Sequence, residues 1–186
     1  MTKITPNTID SAPAASKPIL EGAQKALGFV PNLYGVLSEA PAALHAYTAI
    51  GAALNEHASL SDTERNVVAI AISRDAGCGY CVAAHSTLAD MAKAPSEVIN
   101  AARDGNPIGD SKLEALRVFA RAAVEKRGWL EDKDLNAFFQ AGYEKKHVLE
   151  VMTLAALKTL SNYTNHVAET PLDEAFAPRT WKADAA

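Results

Sequence analysis

The stretch that most limits the possible folds runs from Ser61 to Arg74. Its apolar part is rich in β-branched residues, so a buried strand and a buried helix are both compatible with it. The residues before it favour the helix, because Ser61 and Glu64 match the S-x-x-E capping box that opens helices. The alanines within the run favour a helix as well. We therefore predict a helix here, ended by Gly77.

The rest of the chain also shows helical patterns. Further helices are predicted at 19–27, from 31, at 41–57, 78–91 and 95–103, from 110 or 111, and at 131–141 and 144–169. We find no internal repeat or linker, and 186 residues suffice for one domain. The prediction is an all-α single domain at 17–186. Residues 1–16 show no periodicity and indicate a mobile or loosely docked N-terminal arm.

Charge and hydropathy exclude several classes of protein. The formal net charge of -4 argues against non-specific nucleic-acid binding, which needs a basic face. The N-terminus lacks the apolar region of a secretory signal. The longest apolar stretch, Val67 to Ile72, is far shorter than the roughly 20 residues that span a membrane. We expect a soluble, cytoplasmic protein that binds neither nucleic acid nor membrane.

The only two cysteines of the chain, Cys78 and Cys81, form a C-x-x-C pair, and His85 follows four residues later. On a helix these three residues lie within about 60° of one another on one face. Modest adjustment brings the two sulfurs into disulfide range, and the imidazole can reach Cys81 directly or through one water. In a reducing compartment such a pair is more often catalytic or metal-binding than structural.

Metal, haem and packing interpretations of this pair are weaker than a redox dithiol. Structural zinc usually takes a second ligand pair, and the sequence has none. A c-type haem needs a histidine directly after the second cysteine, where Val82 stands. We predict a redox dithiol with no metal or cofactor. The helix N-terminus favours a thiolate at Cys78 and the imidazole favours one at Cys81, so spacing alone leaves the nucleophile open.

The chain resembles the carboxymuconolactone decarboxylase superfamily, in its alkylhydroperoxidase D-like, peroxidase-related branch. The resemblance rests on residues 60–86, LSDTERNVVAIAISRDAGCGYCVAAHS, supported by FVPNLY at 29–34 and NYTNH at 162–166. It implies an all-helical, AhpD-like bundle that forms a homo-oligomer, commonly a trimer or a hexamer. It also implies an antioxidant thiol peroxidase or disulfide reductase.

Site roles follow from the same resemblance. It implies that Cys81 attacks a hydroperoxide and becomes a sulfenic acid, which Cys78 resolves to a disulfide. His85 then belongs to a proton relay. A dithiol reductant, such as a lipoylated or thioredoxin-like protein, restores the thiols.

Two positions depart from the family pattern. The relay carboxylate expected twelve residues before Cys78 is replaced by Asn66, which can hydrogen-bond an imidazole but cannot make it more basic. Glu64 points to the other face of the helix and is interpreted as the capping partner of Ser61. Tyr80 stands where the best-known branch has a histidine. We therefore expect a weaker or differently tuned peroxidase.

Two other functions remain open. A lactone decarboxylase of the superfamily's namesake type transfers protons and needs no dithiol. A non-catalytic redox-sensing helical oligomer would be oxidised once without turnover. Asn162, Asn165 and His166 share one face at the end of the last helix. A C-terminal cap with a subunit contact is favoured for them over a pocket lining above the dithiol.

Overall fold

The computed structural model describes residues 4–183, and these are helical with irregular connections. Their α-helices are α1 (Lys17–Leu27), α2 (Asn32–Leu37), α3 (Pro41–His57), α4 (Asp62–Asp75), α5 (Gly79–Met91), α6 (Ser96–Asp104), α7 (Ser111–Glu125), α8 (Asp132–Gln140) and α9 (Lys145–Ala168). A 3₁₀ helix follows at Glu174–Arg179. The all-α prediction is confirmed. No helix among these residues is both long and apolar enough to cross a membrane.

The predicted helix boundaries hold because local chemistry sets them. Ser61 and Glu64 form the reciprocal capping box at the start of α4, with a Glu64 N to Ser61 Oγ distance of 3.3 Å. Asp110 caps α7 by accepting from the Leu113 amide at 2.9 Å. Gly28 ends α1 with φ 84°, a left-handed conformation in which glycine has no Cβ penalty.

Helix α4 forms the centre of the domain. Every residue from Val67 to Ser73 is buried, and the helix packs against α5, α6, α7 and α9. A helix covered on all sides has no polar stripe, so its sequence lacks the usual 3.6-residue pattern. This burial explains why a strand was a reasonable alternative for the same residues.

The N-terminal arm is docked more firmly than its composition suggested. The Asn7 amide donates to the Gly35 carbonyl at 3.1 Å, and Ser16 Oγ donates to the Ser38 carbonyl at 2.8 Å. Ala12 and Ser16 are both buried. These contacts fix residues 4–16 on α2, while residues 1–3 of the predicted arm lie outside the described part of the chain. Composition missed this docking because the partners are distant in sequence.

The chain after α9 crosses back over the start of α5. We call residues 171–183 the C-terminal strap. Its 3₁₀ helix packs on α5, and Arg103 Nη1 donates to the Arg179 carbonyl at 2.9 Å. Gly79 lies directly beneath the strap, since a Cβ there would stand 2.7 Å from the Trp181 carbonyl oxygen. The strap therefore covers the helix end that carries the cysteines.

Candidate active site

The two cysteines begin α5, as the sequence predicts. Cys78 is the N-cap residue and Cys81 lies in the first turn. Both are free thiols and both are 1 % exposed. The thiol of Cys78 hydrogen-bonds the sulfur of Cys81, so the pair is close enough to act as a unit.

Helix α9 supplies the polar groups around the sulfurs. Asn165 Nδ2 lies 3.2 Å from Cys81 Sγ and 3.9 Å from Cys78 Sγ, and Ser161 Oγ lies 3.8 Å from Cys81 Sγ. The favoured assignment of Asn165 to a helix cap and subunit contact is therefore wrong, because its amide faces the dithiol. Asn162 is 1 % exposed but makes no hydrogen bond to either sulfur. His166 is exposed.

These contacts separate the acidities of the two thiols. The hydrogen bond from Cys78, helped by the charge of Lys158 and by the hydrogen bonds with Ser161 and Asn165, lowers the pKa of Cys81 to about 5 against the opposing effect of burial. The same hydrogen bond, together with burial, raises the pKa of Cys78. These surroundings therefore favour the thiolate at Cys81 and the thiol at Cys78.

A hydrogen-bonded chain runs from α4 through α5 to α9. Asn66 Nδ2 donates to the Asp62 carbonyl at 2.9 Å, which leaves its Oδ1 facing His85 Nδ1 at 3.1 Å. His85 Nδ1 must therefore carry the proton, and Nε2 accepts from Lys158 Nζ at 2.8 Å. Burial, reinforced by the Lys158 charge, holds the pKa of His85 well below its ordinary value of 6.5.

Lys158 is the functional side chain that the sequence analysis missed. It is 1 % exposed, and His85 is its only hydrogen-bond partner among residues 4–183. A buried ammonium beside a neutral imidazole needs a counter-charge, and the Cys81 thiolate supplies one. Its signal lay in the polar positions that interrupt the apolar face of α9, since Lys158, Ser161 and Asn165 recur at i, i+3 and i+7.

The imidazole makes no hydrogen bond to either sulfur, since its two nitrogens have other partners. Both of its nitrogens are used by Asn66 and Lys158, so His85 influences Cys81 through the lysine rather than by direct contact. Asn66 makes the hydrogen bond to the imidazole that the sequence analysis allowed for. Glu64 hydrogen-bonds Ser61 and Tyr143, as expected for a capping residue. Within 4–183, no cluster of three His, Cys, Asp or Glu side chains has the spacing of a metal site.

A family model matches the segment that carries this arrangement. The model of the carboxymuconolactone decarboxylase family covers residues 41–126, which include the capping box, the dithiol and His85. This match supports a relationship between the chain and the carboxymuconolactone decarboxylase family. No curated protein shows significant sequence similarity to it.

Several solved structures share this all-helical fold. An alkylhydroperoxidase AhpD core, peroxidase-related protein from Ralstonia eutropha JMP134 has 20 % identity and a TM-score of 0.83, with 95 % of this chain and 96 % of that chain covered. A peroxidase-related protein from Silicibacter sp. TM1040 has 18 % identity and a TM-score of 0.78, with 94 % and 93 % covered. The debrominase Bmp8 has 20 % identity and a TM-score of 0.79, with 96 % of both chains covered. A cysteine-to-alanine variant of that debrominase has been crystallised with 2,3,4-tribromopyrrole.

Tyr80 contacts the C-terminal strap and makes no hydrogen bond to either sulfur. Its hydroxyl donates to the carboxylate of Asp173 and accepts from the Leu33 amide at 3.2 Å. Its ring meets Phe176 edge-on at 5.9 Å. Burial and the Asp173 carboxylate raise the pKa of Tyr80, so the phenol stays protonated. Its observed contacts are therefore those of a residue that fixes the C-terminal strap over α5.

Proposed function

We propose that the protein is a thiol-dependent peroxidase in which Cys81 is the nucleophile and Cys78 the resolving thiol. The observation that carries this proposal is the buried dithiol itself, with the Asn165 amide 3.2 Å from Cys81 Sγ and 3.9 Å from Cys78 Sγ. These surroundings lower the pKa of Cys81 and raise that of Cys78. The thiolate is the reactive form of cysteine, and a neighbouring thiol is what converts a sulfenic acid to a disulfide.

The first step forms a sulfur–oxygen bond. The Cys81 thiolate attacks the terminal oxygen of a hydroperoxide, the O–O bond breaks, and the alkoxide leaves. We assign its proton to the Lys158 ammonium, which His85 orients, so that an alcohol departs and Cys81 becomes a sulfenic acid. Asn66 Oδ1 accepts a hydrogen bond from His85 Nδ1 and so fixes the tautomer of the imidazole. This relay has the neutral Asn66 where the family pattern has a carboxylate, and its positive charge belongs to Lys158 on the other side of His85.

The second and third steps complete the cycle. The Cys78 sulfur attacks the Cys81 sulfur, and its proton leaves with the hydroxyl as water, which gives the disulfide. A dithiol reductant then exchanges with that disulfide and is itself oxidised to a disulfide. Its two protons restore the Cys78 thiol and the Lys158 ammonium, and Cys81 returns to the thiolate. A lipoylated or thioredoxin-like protein is the proposed reductant. Overall, one hydroperoxide and two reductant thiols give an alcohol, water and a disulfide.

The exposed face of α9 supports the proposal of a homo-oligomer. Leu149, Tyr163 and Val167 are 68 %, 63 % and 74 % exposed. A groove on the same helix is lined almost wholly by apolar atoms of residues such as Ile4, Ala156 and Leu160. Large exposed apolar surfaces of this kind mark interaction sites. The expectation is a trimer or hexamer, and a monomer mass by analytical ultracentrifugation would contradict it.

Two cysteine variants test the peroxidase. Wild-type protein with dihydrolipoamide should consume a hydroperoxide catalytically, and Cys81→Ser should abolish this. Cys78→Ser is the matched control, because it keeps the nucleophile and should give one stoichiometric oxidation to a sulfenic acid without turnover. Turnover that survives Cys81→Ser would refute the proposal.

The same assay separates the other functions. One slow stoichiometric oxidation of wild-type protein, without turnover with any reductant, indicates a redox sensor. Conversion of a muconolactone after both cysteines are alkylated indicates a lactone decarboxylase. Debromination of 2,3,4-tribromopyrrole without hydroperoxide turnover indicates the chemistry named for the debrominase relative.

A further inference from the structure

The end of the C-terminal strap lies over the residues on both sides of Cys78. A Cβ added to Gly79 would stand 2.7 Å from the Trp181 carbonyl oxygen, and one added to Gly77 would stand 3.9 Å from the Ala183 Cβ. Cys78 itself is 1 % exposed. A sulfur is attacked only by an atom that touches it. From this side a thiol reductant therefore reaches Cys78 only when the end of the strap moves.

Cys78 is the sulfur of the disulfide that a reductant should attack. Thiol–disulfide exchange is faster when the thiol that leaves has the lower pKa. The surroundings lower the pKa of Cys81 and raise that of Cys78, so attack on Cys78 Sγ expels the better leaving group. The S–S bond breaks, Cys81 leaves as the thiolate, and the reductant is joined to Cys78. The second thiol of the reductant then breaks this mixed disulfide, Cys78 takes up a proton, and the reductant departs as a disulfide.

The first half of the strap, residues 171–176, is fixed by buried contacts. Asp173 is 7 % exposed, and its carboxylate accepts from the Tyr80 hydroxyl and from the Asn32 amide at 3.0 Å. The ring of Phe176 meets that of Tyr80 edge-on at 5.9 Å. This half should stay in place, because moving it would leave a buried carboxylate without its donors.

The second half, residues 177–183, is held by polar contacts at the surface, and we call it the distal strap. None of its residues is buried. Arg179 forms a bidentate ion pair with Asp90, in which Nε lies 2.6 Å from Oδ2. Arg103 donates to the Arg179 and Thr180 carbonyls at 2.9 and 3.2 Å. Segments with few buried apolar contacts open at a low cost in free energy, so the distal strap can open while the first half stays bound.

We propose that the distal strap is a lid over Cys78 that opens at the Arg179–Asp90 ion pair, so that a dithiol reductant reaches the disulfide only when this lid is open. The inference rests on the proposed reductant step and adds the movement that this step requires. Only molecules with an open lid react, so a change that raises the open fraction raises the rate of reduction in proportion.

Gly79→Ala should hold the lid open, because the added methyl group collides with the Trp181 carbonyl. The disulfide is formed with diamide, and its reduction by dihydrolipoamide is followed by the ultraviolet absorbance of the Cys81 thiolate. The rate constant of reduction should rise about 10-fold over that of the wild type. Gly22→Ala is the matched control, since Gly22 is also helical but has nothing within 4 Å of an added Cβ. Its rate should change less than about two-fold.

Arg179→Ala opens the same lid at the other end of α5 from the sulfurs. Loss of the ion pair with Asp90 should raise the rate of reduction about five-fold. The titration of Cys81 should stay near pH 5, which separates lid opening from a changed sulfur. Salt screens an ion pair at the surface, so higher ionic strength should speed reduction of the wild type by this uncharged reductant, but not of Arg179→Ala. Lys126→Ala, which removes a 2.6 Å ion pair with Asp134, is the matched control and should change the rate less than about two-fold.

Unchanged rates in both Gly79→Ala and Arg179→Ala would overturn the inference, and so would slower reduction in either of them or equal gains in the controls. If Gly79→Ala does not fold, Arg179→Ala and its salt dependence decide. The test uses no hydroperoxide, so a wild type without peroxide turnover refutes the peroxidase proposal and leaves the lid measurement intact. If diamide forms no disulfide, the rate of maleimide alkylation of Cys78 in a Cys81→Ser background provides the same comparison, with the same expected order.

Discussion

The acidity of Cys81 depends on the Asn165 amide to an extent that can be calculated. In Asn165→Leu a side chain with the same branching at Cγ replaces the donor that lies 3.2 Å from Cys81 Sγ. A hydrogen bond to a charged group is worth about 1.5–3 kcal/mol, which corresponds to roughly one to two pKa units. The Cys81 pKa of about 5 should therefore rise to roughly 6–7. The protein should tolerate the change, because the Asn165 carbonyl oxygen that is lost has no hydrogen-bond partner.

The ultraviolet absorbance of the thiolate, followed against pH, measures this shift. The transition near neutral pH belongs to Cys81, because the pKa of Cys78 is raised. Alkylation rate is a poorer readout, since the thiolate becomes a stronger nucleophile as its pKa rises and the two effects offset each other. Asn162→Leu is the control: Asn162 is also buried on α9 with an unpaired carbonyl oxygen, but it does not touch sulfur. Equal midpoints in the wild type and both variants would refute the reasoning.

Two further changes test the relay and the strap. Lys158→Met should lower kcat/KM for hydroperoxides about 100-fold, because it removes both the proton donor and the positive charge beside Cys81. The same change should raise the pKa of His85, which NMR of the imidazole measures. An unchanged rate together with an unchanged His85 titration would contradict the proposed role of Lys158. Tyr80→Phe should lower the free energy of unfolding in urea by about 1–3 kcal/mol, because the buried Asp173 carboxylate loses a donor. Tyr80→Phe should leave the titration of Cys81 near pH 5. An unaltered free energy of unfolding would show that the Asp173 contact does not hold the strap.

The relay shows how sequence reasoning found one side of the site and missed the other. His85 was identified from its spacing to the cysteines on one helix. Asn66 was identified from the family resemblance, which places a relay residue twelve positions before Cys78. The partner on the far side of His85 was not identified. Lys158 lies 73 residues away from it, and a lysine within a long helix ordinarily indicates an exposed face. Only the packing of α9 against α4 and α5 buries that ammonium.

For Tyr80 the sequence analysis suggested a role at the dithiol that the contacts of the side chain do not show. Its place between the cysteines suggested a chemical role, but residues on adjacent positions of a helix point in different directions. The hydroxyl meets Asp173 of the C-terminal strap, 93 residues later in the chain. The strap itself gave no periodic signal, so neither its course over α5 nor the tyrosine's partner was available from the sequence.

The sequence by itself determined the helices and the spacing of the dithiol, because caps, glycine stops and residue periodicity act over a few neighbouring residues. The tertiary structure decided which of the two sulfurs ionises. Ser161 and Asn165, the hydrogen-bond partners of Cys81, lie 80 and 84 residues away in the chain, and the Lys158 charge comes from the same helix. Electrostatic effects on acidity depend on distances in space, and those distances are fixed only when α9 packs over the start of α5.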